Sequence, residues 1–137
     1  MKVAIVFIGE NKREKLLNVA KGLAKGLESQ GHQVDIVDGN RDVNTKLTIY
    51  NYIVIGTEAI STFGGKIPDK VSTYLANGGM ISGKRSYAFV VKTFFGAVRA
   101  LLRLMKTMEA EGMFLKNSQI IQSELEAEEI GKRIHVK

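Results

Sequence analysis

Cysteine is absent from this chain of 137 residues. That excludes disulfides, thiolate metal sites, iron–sulfur clusters and thiol catalysis together, so any redox chemistry has to come from a bound cofactor. Proline occurs once, and no low-complexity tract divides the sequence. Nowhere do roughly 18 apolar residues follow one another, as a membrane-spanning helix requires. The opening apolar run is interrupted by Glu10, Lys12 and Arg13, too early for a secretory signal, and the expected location is the cytoplasm. Lysine and arginine outnumber aspartate and glutamate by 20 to 14, a formal +6, yet no dense basic block or aromatic-rich basic strand goes with the excess. The charge reads as solvated helix faces, and nucleic acid is not expected as a partner. His32 and His135, the two histidines, have no neighbours that suggest catalysis. The length suits a single domain, residues 1–137, with one core and one site.

What is present is a regular alternation of elements. Three runs, KVAIVFI (2–8), YIVIG (52–56) and SYAFVV (86–91), are apolar almost without interruption, the pattern of strands covered on both faces in a parallel sheet. GHQVDIVD (31–38) supplies another strand, and GMFLKNSQII (112–121) a last one, expected in two pieces around Lys116-Asn117. Between them, Leu16, Ala20, Leu23 and Leu27 keep one helix face apolar while Lys15, Lys21, Lys25 and Glu28 solvate another, until Gly31 ends the helix. Residues 39–51 are short for a crossover and predict a brief or irregular helix. Pro68 suits a first helical position ahead of Val71, Tyr74 and Leu75, with Asn77-Gly78-Gly79 as the close. Val98, Leu101, Leu102, Met105 and Met108 form a stripe at helical spacing opposite Arg99, Arg103 and Lys106, expected to face the core, with Gly112 as the stop. Ser123 and Glu126 form a capping box that opens a final helix. Strands alternating with helices through right-handed crossovers make a five-stranded, doubly wound α/β sandwich.

In such a sandwich ligands bind beyond the carboxyl ends of the strands, where the strand order reverses between the first and third strands. Three loops line that crevice: GENKREK after the first strand, TEAISTFGGKIPDK after the third and KTFFGAV after the fourth. The first combines Gly9 with a helix start whose free N–H groups suit an anion. The second is long for a tightly connected chain, as binding loops often are. Phe63-Gly64-Gly65 at its tip sets a ring beside backbone that a flat ligand can approach, and Phe94-Phe95-Gly96 repeats the device on the third loop. The segment YNYIVIGTEAISTFGGKIPDKVSTYL resembles the third strand, flavin loop and third helix of flavodoxins and flavodoxin-like flavoproteins. SGKRSYAFVVKTFFGAVRALLRLMKTMEAEGM resembles their fourth strand, second flavin loop and fourth helix, so that the resemblance covers nearly the whole chain. It implies a flavodoxin-like three-layer sandwich with a five-stranded parallel sheet of order 2-1-3-4-5. It also implies FMN as cofactor and electron transfer without bond-making by protein side chains, hence no catalytic residue and no metal ligand. The implied FMN contacts are Gly9, Glu10, Asn11, Lys12 and Arg13 in the first loop, Thr57, Glu58, Ala59, Thr62, Phe63 and Gly64 in the second, and Thr93, Phe94, Phe95 and Gly96 in the third.

The first loop departs from that family, in which serine and threonine hydroxyls bind the FMN phosphate: from Gly9 to Asn18 this chain has no hydroxyl. Asn11 is a neutral polar substitute, Glu10 adds a negative charge, and Lys12, Arg13 and Lys15 could neutralise a phosphate in their own way. Without a ligand the segment reads as a solvated helix start. Glu58 stands where the family more often carries proline and reads as a side chain turned to water. Phe63 and Phe94 either stack on a flavin or fold back on the core. The function read from the sequence is that of an FMN-binding redox protein, which docks, through its positive charge, on an acidic partner. The alternative is a cofactor-free flavodoxin-like domain acting as a protein-interaction module; whether the chain is an enzyme stays open. Receiver domains share the strand order, but they need clustered aspartates where this chain has Gly9-Glu10 and Thr57-Glu58, and no G-x-S-x-G elbow points to a serine hydrolase.

Overall fold

A computed structural model describes residues 1–61 and 64–136. Strands β1 (Lys2–Phe7), β2 (Gln33–Asp38), β3 (Tyr52–Thr57), β4 (Arg85–Val91) and β5 (Phe114–Ile121) form one parallel sheet in the order β2-β1-β3-β4-β5. Helices α1 (Arg13–Ser29), α2 (Lys70–Ala76), α3 (Ala97–Ala110) and α4 (Glu124–Gly131) cover it. Because side chains alternate along a strand, Ile5, Val54 and Phe89 pack with α1 and α4 on one face, while Ala4, Val6, Ile55 and Val90 pack with α2 and α3 on the other. Strands β1, β3 and β4 are buried on both faces, which is why they read as unbroken apolar runs, while the edge strands β2 and β5 are partly exposed. The expected sheet order is the one observed.

Helices α1 and α4 lie backbone to backbone. A Cβ placed on Gly22 would stand 2.3 Å from the Glu124 carbonyl oxygen, one on Gly26 2.3 Å from that of Glu128, and one on Gly131 2.5 Å from that of Leu23. Gln30 fastens the end of this seam by donating through Nε2 to the carbonyls of Gly131 (2.7 Å) and Ile134 (3.0 Å).

Four details differ from the sequence reading. Residues 39–51 hold no helix; they run as turns anchored by the buried Leu47 and Tyr50, with the Tyr50 hydroxyl donating to Asp35 (2.8 Å) and the Leu47 N–H to Gly78 (2.7 Å). Pro68 precedes the helix instead of opening it: its carbonyl takes the Val71 N–H (3.1 Å) in a tight turn, and Asp69 is the cap. In α3 the core face is Ala97, Ala100, Leu104 and Met108, flanked by the half-buried Leu101 and Met105, whereas Val98 and Leu102 are 63% and 54% exposed. The small side chains at 97 and 100 let the helix approach the sheet on that side, and Val98 and Leu102 stay on its flank. Strand β5 is continuous, and the expected break is a bulge: Ser86 pairs with Leu115 but Tyr87 with Asn117, so Lys116 is the extra residue. At α4, the Ser123 hydroxyl accepts from the Glu126 N–H (3.2 Å) as expected, while the Glu126 carboxylate reaches back to Gln122 (3.4 Å). No helix among the described residues is long and apolar enough to cross a membrane.

Candidate functional site

The site is built where β1 and β3 end side by side. Past the strand ends the pairing continues, with the Ile8 N–H donating to Gly56 (3.0 Å) and the Thr57 hydroxyl to the Ile8 carbonyl (2.6 Å). This bond fixes the residue after Thr57, which is Glu58, directly against the β1–α1 turn. Gly9 then turns the chain, its N–H held by Asn40 Oδ1 (3.0 Å). The next three backbone N–H groups converge on one carboxylate. Glu10 donates to Glu58 Oε2 (3.0 Å), Asn11 to Oε1 and Oε2 (3.0 and 3.1 Å), and Lys12 to Oε2 (2.8 Å).

Glu58 is 0% exposed. The expectation that its side chain faces water is therefore wrong, and the reason is physical: the N–H groups of Glu10 and Asn11 in the turn, and of Lys12 at the helix cap, need an acceptor, and they find it in this carboxylate. Lys12, the N-cap of α1, provides no side-chain cap, so Glu58 supplies the oxygens from 46 residues away. A buried charge is tolerated only when paired or fully hydrogen-bonded, and here three donors and the positive end of the α1 dipole meet it. Gly9 is required by the same contact, because a Cβ there would stand 2.6 Å from Glu58 Oε2 and 2.4 Å from Leu16 Cδ1.

Two cations near the loop, Arg13 and Lys15, are engaged elsewhere. Arg13 forms an ion pair with Asp38 and a hydrogen bond with Asn40, its guanidinium 5.7 Å from the centre of the Phe7 ring. Lys15 donates to the Lys92 carbonyl (3.0 Å), while Glu10, Asn11 and Lys12 are exposed residues. Asp38 and Asn40, which order the turn and hold Arg13, escape the sequence reading, although an Asp-Gly-Asn run at a strand end is a turn signal.

Of the second loop, Thr57 and Glu58 are buried in the turn, Ala59 packs partly on the core and Gly64 is exposed. Thr62 and Phe63 lie outside the described residues. Gly65 has φ +65°, and a Cβ there would meet Arg99 Cβ at 2.3 Å, so this loop backs onto the start of α3. In the third loop the Thr93 hydroxyl donates to the Phe95 carbonyl (2.8 Å), and Gly96, at φ +82°, turns the chain into α3. The Phe94 and Phe95 rings meet edge to face at 4.7 Å, and Phe94 is 92% exposed. With Val98, Arg99 and Ile120 they border a hollow of about 630 Å³, to which none of residues 9–13 contributes. A neighbouring hollow of about 620 Å³ is lined by Gly64, Arg99, Leu102, Arg103 and Lys106, among others.

FMN needs a phosphate seat, and the β1–α1 loop does not fit it. The N–H groups of Glu10, Asn11 and Lys12 are bonded to Glu58, the loop has no hydroxyl, and a phosphate dianion at that point would stand against a buried carboxylate. No cluster of metal-ligating side chains occurs among the described residues.

No protein-family model and no curated protein sequence matches the chain. Solved structures do. Oxidised flavodoxin 1 from Bacillus cereus superposes with a TM-score of 0.73 at 14% identity, over 98% of this chain and all of that one. An archaeal flavodoxin gives 0.70 at 18% identity over 96% and 94% of the two chains, and two-electron reduced Megasphaera elsdenii flavodoxin 0.69 at 17% over 95% and 96%. The chain has the flavodoxin-like fold from end to end.

Proposed function

We propose that this flavodoxin-like protein is a docking domain for an acidic partner protein, and that the partner binds on the outer flank of α3 and the loop before it. The observation that carries this reading is a run of exposed apolar side chains bordered by cations. Phe94, Phe95, Val98 and Leu102 are exposed, and Arg99, Arg103 and Lys106 line the hollow beside Leu102. Val98 and Leu102 are one helical turn apart and share a flank. Apolar anchors bordered by an excess of positive charge, three cations against Glu111 in this hollow, suit a protein interface of complementary sign. A second copy of this chain suits the face poorly, since a two-fold contact would bring Arg103 and Lys106 against their own counterparts. The formal +6 adds long-range attraction towards an acidic surface. The cytoplasm is the setting this reading assumes.

A second reading, an FMN-dependent electron carrier serving an acidic redox partner, is favoured by the likeness to solved flavodoxins and by the exposed Phe94 beside Gly96. It requires Glu58 to leave the β1–α1 loop.

Capture of partners by the tagged protein, from the cells that make it, tests the first reading. The expected partner presents an acidic face, is lost with Phe94→Ser and with the pair Arg103→Glu and Lys106→Glu, and binds more weakly as salt rises from low to physiological strength. A partner indifferent to both variants and to salt refutes it. Titration with FMN decides the second: flavin fluorescence unquenched at micromolar protein excludes the carrier, whereas saturable quenching restores it.

A further inference from the structure

We propose that Glu58 is this chain's own substitute for a phosphate: an internal anion that completes the β1–α1 loop, so that the loop reaches its final shape without any ligand and admits no exogenous phosphate or phosphomonoester while Glu58 is present. The inference rests on the geometry of the loop and is independent of what docks on α3.

The loop is formed as an anion cradle in every respect but its occupant. Three successive N–H groups point to one centre just ahead of a 17-residue helix, and the distances to Glu58 are 2.8–3.1 Å, the range of well-formed N–H···O hydrogen bonds. Both oxygens of the carboxylate are used, as two oxygens of a phosphate would be. The departures from a flavodoxin loop then share one cause. A cradle whose anion is tethered by the chain has no need of hydroxyls to recruit one from solution, and Arg13, free of that task, pairs with Asp38. Thr57 holds the tether in place through its bond to Ile8, and Gly9 leaves the space that the carboxylate oxygen fills. A tethered anion also outcompetes a free one, because the cost of bringing it to the site was met when the chain folded.

The test uses inorganic phosphate and amide NMR on the whole protein. In the wild type, the Glu10, Asn11 and Lys12 amides are expected to be protected from hydrogen exchange with no anion added, and to stay unmoved as phosphate is titrated. In Glu58→Ala the same amides should shift saturably, with at least tenfold higher phosphate affinity than the wild type. Phosphate that shifts the wild-type amides as strongly as those of the variant overturns the proposal, and so does a folded variant whose amides ignore phosphate. Glu58→Gln keeps the side chain's shape with one carbonyl oxygen in place of two carboxylate oxygens. It should speed exchange at residues 10–12 and leave the rest of the sheet unchanged. Unprotected wild-type amides in this loop refute the proposal even if Glu58→Ala does not fold.

Discussion

Replacement of Gly26 by alanine sets two opposing effects against each other in one helix. Alanine stabilises an α-helix by about 1 kcal/mol over glycine, so on propensity alone Gly26→Ala should raise stability. The α1–α4 seam predicts the reverse. The new methyl would lie 2.3 Å from the Glu128 carbonyl oxygen and 2.7 Å from both Gly131 Cα and Lys132 N. All three are backbone atoms, so no side chain can swing aside, and the helices must part by about 1 Å to reach ordinary contact distance. Over-packing of this kind costs about 1–3 kcal/mol, and a rigid backbone partner belongs in the upper part of that range. The net expectation is a loss of about 1–2 kcal/mol, or a fall in Tm of about 4–8 °C for a chain of this length. Urea unfolding followed by far-ultraviolet circular dichroism should show a lower midpoint at unchanged slope. The pair Gly22→Ala and Gly26→Ala should cost less than the sum of the two, because helices already separated for one methyl admit the second more easily. A Gly26→Ala protein more stable than the wild type would refute the close backbone contact and leave helix propensity as the larger effect.

Three further outcomes can be checked. The Tyr74 hydroxyl is buried without a hydrogen-bond partner among the described residues, so Tyr74→Phe should be neutral or stabilising by up to about 1–2 kcal/mol in the same unfolding assay. Burial raises the phenol of Tyr52 from 10.0 to about 12, that of Tyr74, aided by Asp42, also to about 12, and that of Tyr87 further still. Folding thus favours the neutral phenols, and the stability this provides is complete below about pH 10 and lost as pH rises towards 12. Tyrosinate absorbance should consequently rise together with unfolding, and a smooth titration of all four tyrosines near pH 10 in the folded protein would contradict it. Ser123→Ala removes the oxygen that accepts the Glu126 N–H and should cost about 1 kcal/mol.

The strands were readable because burial on both faces leaves an unbroken apolar signature, and KVAIVFI, YIVIG and SYAFVV each lie within or beside an observed strand. Sheet order followed from alternation and handedness. The phase of α3 was harder. Val98 and Leu102 are as apolar as Leu104, and a count of apolar residues cannot separate the flank from the face when Ala97 and Ala100 make the close contact. For the site, the sequence exposed half of the answer: a phosphate loop without hydroxyls. The other half, Glu58 folded into the loop, depends on β3 ending beside β1 and on Thr57 bonding to Ile8. Those are contacts between residues nearly fifty positions apart, which local pattern does not encode. The engagement of Arg13 by Asp38 has the same origin.

A protein whose key loop is held by a loan from solution has a stability that follows the supply of the lender: each tenfold rise in a specific ligand above its dissociation constant adds about 1.4 kcal/mol. If Glu58 completes the β1–α1 loop as proposed, its three N–H contacts free that loop from such a dependence in this chain. Its melting point should be the same in a cell starved of riboflavin and in one replete with it. Newly made copies would also need no vitamin-loading step before this loop is complete.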